Sequence, residues 1–345
     1  MGGIPRLSYC SDEELMQIPD EIRKCVAFIA SQDKTNAYTM RGTVFLVGYP
    51  LPLIEDTPAY YLVTARHTID QFLKRDIIDT HLRFNARNSN AQYVSIPTSQ
   101  WLFNEDDRID VAVLPIDLNL SEIDHKYIPL NLFVNPEIIN SQQIGVGDDI
   151  FFPGLFSKRF GDRKNIPIIR IGNIAAMPEE SIQTEWGTLP SAYLIEARSI
   201  GGLSGSPVIF STGQTRKIGN MFNVLGQAQY YLLGLIHGHY GIKDEMWDSA
   251  DNTFTDDSRI KSINMGIAMV IPSWDILSTL DRPELKQKRK LESDAKMQER
   301  AASTVLDNSF FTSINVMART NDITNGSNSD QKKDSMSKQV PPMNP

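Results

Sequence analysis

The residues from 199 to 207 could do chemistry because Ser204 stands among glycines, in the sequence Ser-Ile-Gly-Gly-Leu-Ser-Gly-Ser-Pro. Glycine lacks a Cβ and tolerates positive φ, so backbone N–H groups and the Ser204 hydroxyl can converge on one point. A nucleophilic serine beside an oxyanion hole needs this convergence. A tight turn between two strands has the same composition, because Gly and Ser are common turn residues.

Two further side chains could work with Ser204. His67, one of five histidines, follows the apolar run Tyr61–Ala65, which predicts a buried strand with an imidazole at its end. Asp110 directly precedes the apolar run Val111–Leu114. Taken alone, His67 is compatible with a structural histidine and Asp110 with a strand-end cap. Together they predict one site in a cleft between two sets of strands.

Two sets of short apolar runs must position these side chains. The first set comprises Cys25–Ala30, Thr43–Val47, Tyr60–Ala65, His81–Phe84, Tyr93–Ile96 and Val111–Leu114. The second comprises Ile150–Phe152, Ile166–Ile171, Tyr193–Ala197, Pro207–Phe210, Tyr230–His237 and Met265–Ile271. Strands at this spacing, without long helical patterns between them, predict an all-β fold of two six-stranded antiparallel β-barrels.

The same pattern predicts five segments along the chain. They are a lead-in with one brief helix over 1–21, a first barrel over 22–130, a second barrel with the start of a C-terminal helix over 131–282, a charged helical extension over 283–320 and a disordered tail over 321–345. The C-terminal helix is expected to begin at Pro272-Ser273. Phe310-Phe311 with Ile314 and Val316 is compatible with a motif that docks a partner protein, or with a stray apolar patch.

Composition excludes several classes of protein. The net charge of −8 does not favour nucleic-acid binding. No apolar run is as long as a membrane span, and the first residues lack the apolar core of a signal peptide. The two cysteines, Cys10 and Cys25, are too few for a disulfide framework. We therefore expect a cytoplasmic protein with no membrane or nucleic-acid partner.

Three stretches resemble the motifs of the chymotrypsin-like (trypsin-like, PA-clan) serine peptidases. Thr64–His67 is similar to the histidine motif, Asp110–Leu114 to the aspartate motif and Gly202–Pro207 to the nucleophile motif, and Gly42–Val47 is similar to the strand before the histidine. The order of the motifs also matches this family. The resemblance covers roughly residues 22–282.

The resemblance implies a role for each residue. The Ser204 hydroxyl attacks the scissile carbonyl, His67 takes its proton and returns it to the leaving amine, and Asp110 orients the imidazole. The backbone N–H groups of Gly202 and Ser204 form the oxyanion hole. No metal or organic cofactor is expected. The implied function is a serine endopeptidase that acts on protein or peptide substrates.

The sequence departs from the family pattern at three positions. Leu203 stands where the digestive members have an aspartate that pairs with a new N-terminus, so that activation route is not expected. Ser206 replaces the second glycine of the nucleophile motif. Arg66 precedes His67 and would weaken the base if its guanidinium pointed inward.

Specificity is predicted from register. Arg198 and Ser199 precede the nucleophile loop, and His237 and His239 lie on the next strand, where the family forms its pocket for the residue before the cut. A pocket with Arg198 and a histidine would favour an acidic or Gln side chain. Alternatively, Arg198 is a surface residue and the histidines are structural.

Two other functions stay open at this point. A protease-fold module could bind a partner without turnover, although it would not need all three groups. An esterase could use the same three residues.

Overall fold

The computed structural model describes residues 18–117, 121–184, 187–197, 202–213, 215–219, 221–224, 228–242 and 263–300. A large unit ends at Lys290, and residues 291–300 belong to a second unit. The predicted N-terminal helix before Pro19, the docking motif and the tail lie outside the described residues. Of the predicted helical extension, residues 283–300 are helical. None of the described helices combines the length and the apolar character needed to span a bilayer.

The six apolar runs of the first set all lie in strands of one sheet. Its strands are β1 (Val26–Gln32), β2 (Tyr38–Leu51), β3 (Ile54–Thr64), β4 (Asp79–Phe84), β5 (Gln92–Pro97), β6 (Leu102–Phe103), β7 (Ala112–Ile116) and β8 (Ile128–Pro129). The order is β5-β4-β1-β2-β3-β7-β6, and β8 pairs with β2 in parallel, whereas the other pairs are antiparallel.

The prediction of a closed, six-stranded first barrel is wrong for the described strands, because their hydrogen-bonded path ends at β5 and β6. A short 3-10 helix, Thr98–Gln100, joins these two strands, so the sheet must curl to bring its ends within about 17 Å. Closure requires a ladder between the end strands. Among the described strands, β6 pairs with β7 and β5 pairs with β4, and the two end strands share no ladder.

The second set forms a closed six-stranded barrel, as predicted. Its strands, in the order β10-β13-β18-β17-β14-β9, are β10 (Ile168–Ala176), β13 (Tyr193–Glu196), β18 (Ile263–Pro272), β17 (Tyr230–Ile242), β14 (Pro207–Ser211) and β9 (Asp149–Gly154). Two small hairpins pair β11 (Ile182–Thr184) with β12 (Gly187–Leu189) and β15 (Thr215–Ile218) with β16 (Met221–Val224). A closed barrel beside a curled sheet is consistent with a chymotrypsin-like fold.

Four short α-helices in the described part of the chain precede the longer helical stretch 283–300; the first lies before β1, and the others lie between or after the strands. They are α1 (Asp20–Arg23), α2 (Arg66–Leu73), α3 (Pro136–Gln142) and α4 (Ser273–Leu280). The fourth begins at Ser273, as predicted, and the Ser273 hydroxyl donates a hydrogen bond to the carbonyl of Val134.

One apolar core runs through the seam between the curled sheet and the barrel. It contains Phe45 and Val63 from the sheet together with Phe151 and Leu235 from the barrel, each at most 5% exposed. Burying a side chain of this size stabilises the fold by about 1.5–3 kcal/mol. The seam is therefore a packed interior, where a polar group without a hydrogen bond costs free energy.

Arg289 ties the helical residues 283–290 to the curled sheet. Its side chain is 3% exposed and lies 3.7 Å from the centre of the Tyr49 ring. Its guanidinium donates hydrogen bonds to the hydroxyl of Tyr61 and the carbonyl of Leu280, and it lies 3.4 Å from Asp281. Removing it would take one charged donor away from each of these groups.

We expect Arg289→Leu to lower the free energy of unfolding by about 2 kcal/mol, because it removes charge-assisted hydrogen bonds and buried contacts. Lys288→Leu, at an exposed position on the same helix, is the matched control and should change it by less than about 0.5 kcal/mol. Urea titration followed by circular dichroism measures both variants. Equal midpoints would show that Arg289 does not hold the segment.

Candidate active site

His67 lies in the first turn of a helix that the sequence analysis did not predict. Strand β3 ends at Thr64 and α2 begins at Arg66. The first N–H groups of a helix have no acceptor within it. The N–H of His67 donates to Oδ1 of Asp110 at 2.7 Å, so a carboxylate caps the positive end of the helix.

Asp110 lies two residues before β7 and is 7% exposed. A three-residue turn, in which the N–H of Val111 donates to the carbonyl of Ile109, surrounds it. The ring Nδ1 of His67 lies 2.8 Å from Oδ2 of Asp110. Asp110 therefore accepts hydrogen bonds from both the backbone N–H and the ring of His67. The second bond fixes the imidazole with its hydrogen on Nδ1.

His237, predicted to line a substrate pocket, lies against Asp110. It is on β17, is 4% exposed, and its Nδ1 lies 2.5 Å from Oδ2 of Asp110. Its ring meets that of His67 edge to face, with centroids 5.3 Å apart. Its carbonyl oxygen accepts a hydrogen bond from the Ser204 hydroxyl at 3.2 Å. One residue thus contacts both Asp110 and Ser204, and the sequence analysis gave no sign of this.

The loop with Ser204 is hydrogen-bonded to β17 through the two residues that directly follow the nucleophile candidate. The N–H of Gly205 donates to the carbonyl of Ile236 at 2.8 Å, and the N–H of Ile236 donates to the carbonyl of Ser206 at 2.9 Å. Gly205 has a φ of +82°, and a Cβ there would overlap the oxygen atoms of Thr43 and Thr64. A glycine is required because the loop presses directly on the curled sheet.

Thr43 on β2 holds the loop from the sheet side. Its hydroxyl donates to the carbonyl of Gly202 at 2.8 Å and accepts from the N–H of Leu155 at 2.9 Å. Its own N–H donates to the carbonyl of Ser204 at 3.1 Å. Gly202 has a φ of +100°. The sequence analysis placed Thr43 in a strand and missed this contact; a hydroxyl in an apolar run was the available signal.

The charge of Asp110 controls the electrostatics of the site. Burial alone would lower the pKa of His67, but the charge and hydrogen bond of Asp110 outweigh it, and the pKa is raised above its usual value. Burial alone would raise the pKa of Asp110, but the charge of His67 and the hydrogen bonds of both imidazoles hold it well below its usual range. The carboxylate is therefore ionised and can stabilise an imidazolium.

His67, Asp110 and His237 are also close enough together to be considered as metal ligands. Two ligands of a tetrahedral zinc ion are about 3.3 Å apart, given bonds of about 2.0 Å. The two nitrogen–oxygen distances to Asp110 are 2.8 and 2.5 Å, which are hydrogen-bond lengths. The geometry fits an imidazole–carboxylate–imidazole network better than it fits a metal centre.

The other predicted site residues have different outcomes. Arg198 and Ser199 lie outside the described residues, as does the side chain of His239. The guanidinium of Arg66 binds Asp107 at 2.8 Å and also lies near Asp70. Arg66 therefore pairs with carboxylates rather than pointing at the imidazole as an unpaired charge.

No protein-family model matches the chain, and no curated protein matches it. Among solved structures, it is similar to Deg5, with a TM-score of 0.37 and 16% identity over 63% of this chain and 81% of that chain. It is also similar to the Drosophila Grass clip serine protease of the Toll pathway, with a TM-score of 0.41 and 12% identity over 76% of this chain and 70% of that chain. These likenesses are distant, so the role of the site rests on its own geometry.

We expect the pKa of His67 to lie above about 6.5 and to fall below that value in Asp110→Asn. The substitution removes the charge that raises the pKa and leaves the burial that lowers it. A titration of the imidazole by 1H–15N NMR measures the change. Asp79→Asn is the control and should leave the midpoint unchanged; the same midpoint in Asp110→Asn would contradict the electrostatic role of Asp110.

Proposed function

We propose that the chain is a serine endopeptidase, in which Ser204 is the nucleophile, His67 the general base and Asp110 the group that orients the base. One observation carries the proposal. The buried carboxylate of Asp110 accepts two N–H groups of His67, and the residue that also binds this carboxylate, His237, accepts the Ser204 hydroxyl. Nucleophile, base and carboxylate thus belong to one hydrogen-bonded cluster.

The chemistry follows from this arrangement. Asp110 keeps the hydrogen of His67 on Nδ1, so Nε2 is the nitrogen that can accept a proton. As the Ser204 oxygen bonds to the substrate carbonyl carbon, its proton passes to Nε2 and the carbonyl electrons move to oxygen. His67 then gives the proton to the departing amine. Water repeats the sequence on the acyl-enzyme and releases Ser204.

The hydroxyl of Ser204 donates to the carbonyl of His237 at 3.2 Å in this state. In the reactive state its hydrogen must turn towards Nε2 of His67. Catalytic hydrogen bonds are often long or misaligned before substrate binds, so this change is of the usual kind.

The backbone N–H groups of Gly202 and Ser204 are proposed as the oxyanion hole. The positive φ of Gly202 and its hydrogen bond from Thr43 support this, because they fix the peptide beside the nucleophile. Pre-organised donors of this kind stabilise a tetrahedral intermediate without reorganising, and the loss of one costs about 3–4 kcal/mol.

We expect a fluorophosphonate probe to label the wild-type protein and not Ser204→Ala, because the probe traps an activated serine. Ser206→Ala is the matched control. Its buried hydroxyl, two residues further along the same loop, has no hydrogen-bond partner in the part of the chain that the structure describes. It should be labelled as the wild type is. Labelling of Ser204→Ala would contradict the assigned nucleophile.

The kind of substrate is tested separately. A peptidase hydrolyses both amide and ester bonds, whereas an esterase with the same three residues would turn over esters alone. Wild-type protein that resists the probe and cleaves neither substrate would support a binding module without turnover.

A preference for an acidic or Gln residue before the cut is the finer part of the proposal, with Arg198, Ser199 and His239 as its pocket. The ring of His237 is buried against Asp110 and is left out of this pocket. We expect Arg198→Ala to lower kcat/KM for substrates with Glu at this position by about 10-fold or more, since a paired charge is lost. Arg163→Ala, in an exposed part of the chain, should leave kcat/KM unchanged. A peptide library that favours Lys or Arg would contradict the preference.

A further inference from the structure

The Asp110 carboxylate receives a donor that the three-residue mechanism does not use. Oδ1 accepts the backbone N–H of His67, and Oδ2 accepts from the ring Nδ1 of both His67 and His237. The two imidazoles come from different parts of the fold, one from α2 and the other from β17. They share a single carboxylate oxygen.

The surroundings of His237 fix its role as a donor. Its Nδ1 faces a carboxylate oxygen and must carry a hydrogen. Its Nε2 is buried and has no hydrogen-bond partner among the described residues. The ring therefore donates from Nδ1 to Asp110, and strand β17 positions it to do so.

We propose that His237 is a positioning residue of the site. Its ring donates a hydrogen bond to Asp110, and its carbonyl accepts one from the Ser204 hydroxyl. The bond from its ring also reduces the negative charge that Asp110 presents to His67. The inference rests on the proposed function and deepens it. His237 would then act on catalysis through Asp110 rather than by contact with substrate.

The sharing of Oδ2 has a measurable consequence. A hydrogen bond from His237 stabilises the carboxylate and leaves less of its charge for an imidazolium at His67. Without the His237 ring, Asp110 would bind the protonated His67 more strongly and could also rotate. His67 would become more basic, and its position relative to Ser204 less defined.

Few other charges act on this pair within the described structure. The His237 ring faces Asp110 and His67, and the charge of Asp70 also acts on His67. Arg66 is paired with Asp70 and Asp107. A substitution of His237 should therefore affect His67 mainly by changing the hydrogen bonding of Asp110.

The experiment compares two variants at this position. His237→Ala removes the donor, whereas His237→Asn places an amide N–H close to the position of Nδ1. For His237→Ala we expect kcat to fall about 10- to 100-fold with little change in KM, because the catalytic groups lose alignment. In the pH profile of kcat/KM, the acidic limb should move to higher pH by about 0.5–1 unit, because His67 becomes more basic. His237→Asn should keep the wild-type limb. A limb that does not move in His237→Ala would overturn the proposal.

A second measurement does not depend on the stability of these variants or on turnover. In Ser204→Ala protein with 15N-labelled histidine, we expect two low-field Nδ1–H resonances, one from His67 and one from His237. Asp110→Asn should shift both resonances upfield. A single resonance sensitive to Asp110 would overturn the shared carboxylate. If wild-type protein is not labelled by the fluorophosphonate but both resonances are present, the proposed function fails while the shared carboxylate stands.

Discussion

The buried carboxylate of Asp110 is the constraint on which the rest of the site depends. Removing one ion from water costs several kcal/mol even after relaxation, so the charge is tolerated when donors surround it. Here the N-terminus of α2 supplies one N–H, the His67 ring a second and the His237 ring a third. These donors come from two parts of the fold, the helix after β3 and strand β17 of the closed barrel. The sheet and the barrel must therefore meet in one relative position for the charge to be compensated.

The seam keeps that position through contacts that allow little change. Thr43 is fully buried and makes three hydrogen bonds across the seam, to Gly202, Ser204 and Leu155. Gly205 brings the loop so close to β2 and β3 that no side chain fits. Apolar packing alone would tolerate small slips between the sheet and the barrel. The directional bonds of Thr43 and Asp110 do not, because they lose most of their strength when the geometry worsens.

Much of the architecture could be predicted from the sequence because the strands are apolar runs. Helix α2 was missed: three of its eight residues, Ile69, Phe72 and Leu73, give the helical spacing, and the strand pattern before them is stronger. The open first sheet depends on whether the end strands β5 and β6 pair, which local pattern does not define. The contact of His237 with Asp110 depends on a register shift in β17 between Ile236 and Gly238. Such a bulge decides which face a side chain takes, and composition does not reveal it.

Leu203 shows how the loop with Ser204 is anchored without an ion pair. Its side chain is fully buried in the core of the closed barrel. A Cβ on Gly154 would lie 2.7 Å from its Cδ2, so this glycine leaves room for it. The N–H of Ser206 donates to its carbonyl at 2.9 Å. Burial of Leu203 thus fixes the loop on the side of the closed barrel, while the hydrogen bonds of Thr43 fix it on the side of the curled sheet. The oxygen of Ser204 lies between these two anchors, at the point where His237 joins the loop to Asp110.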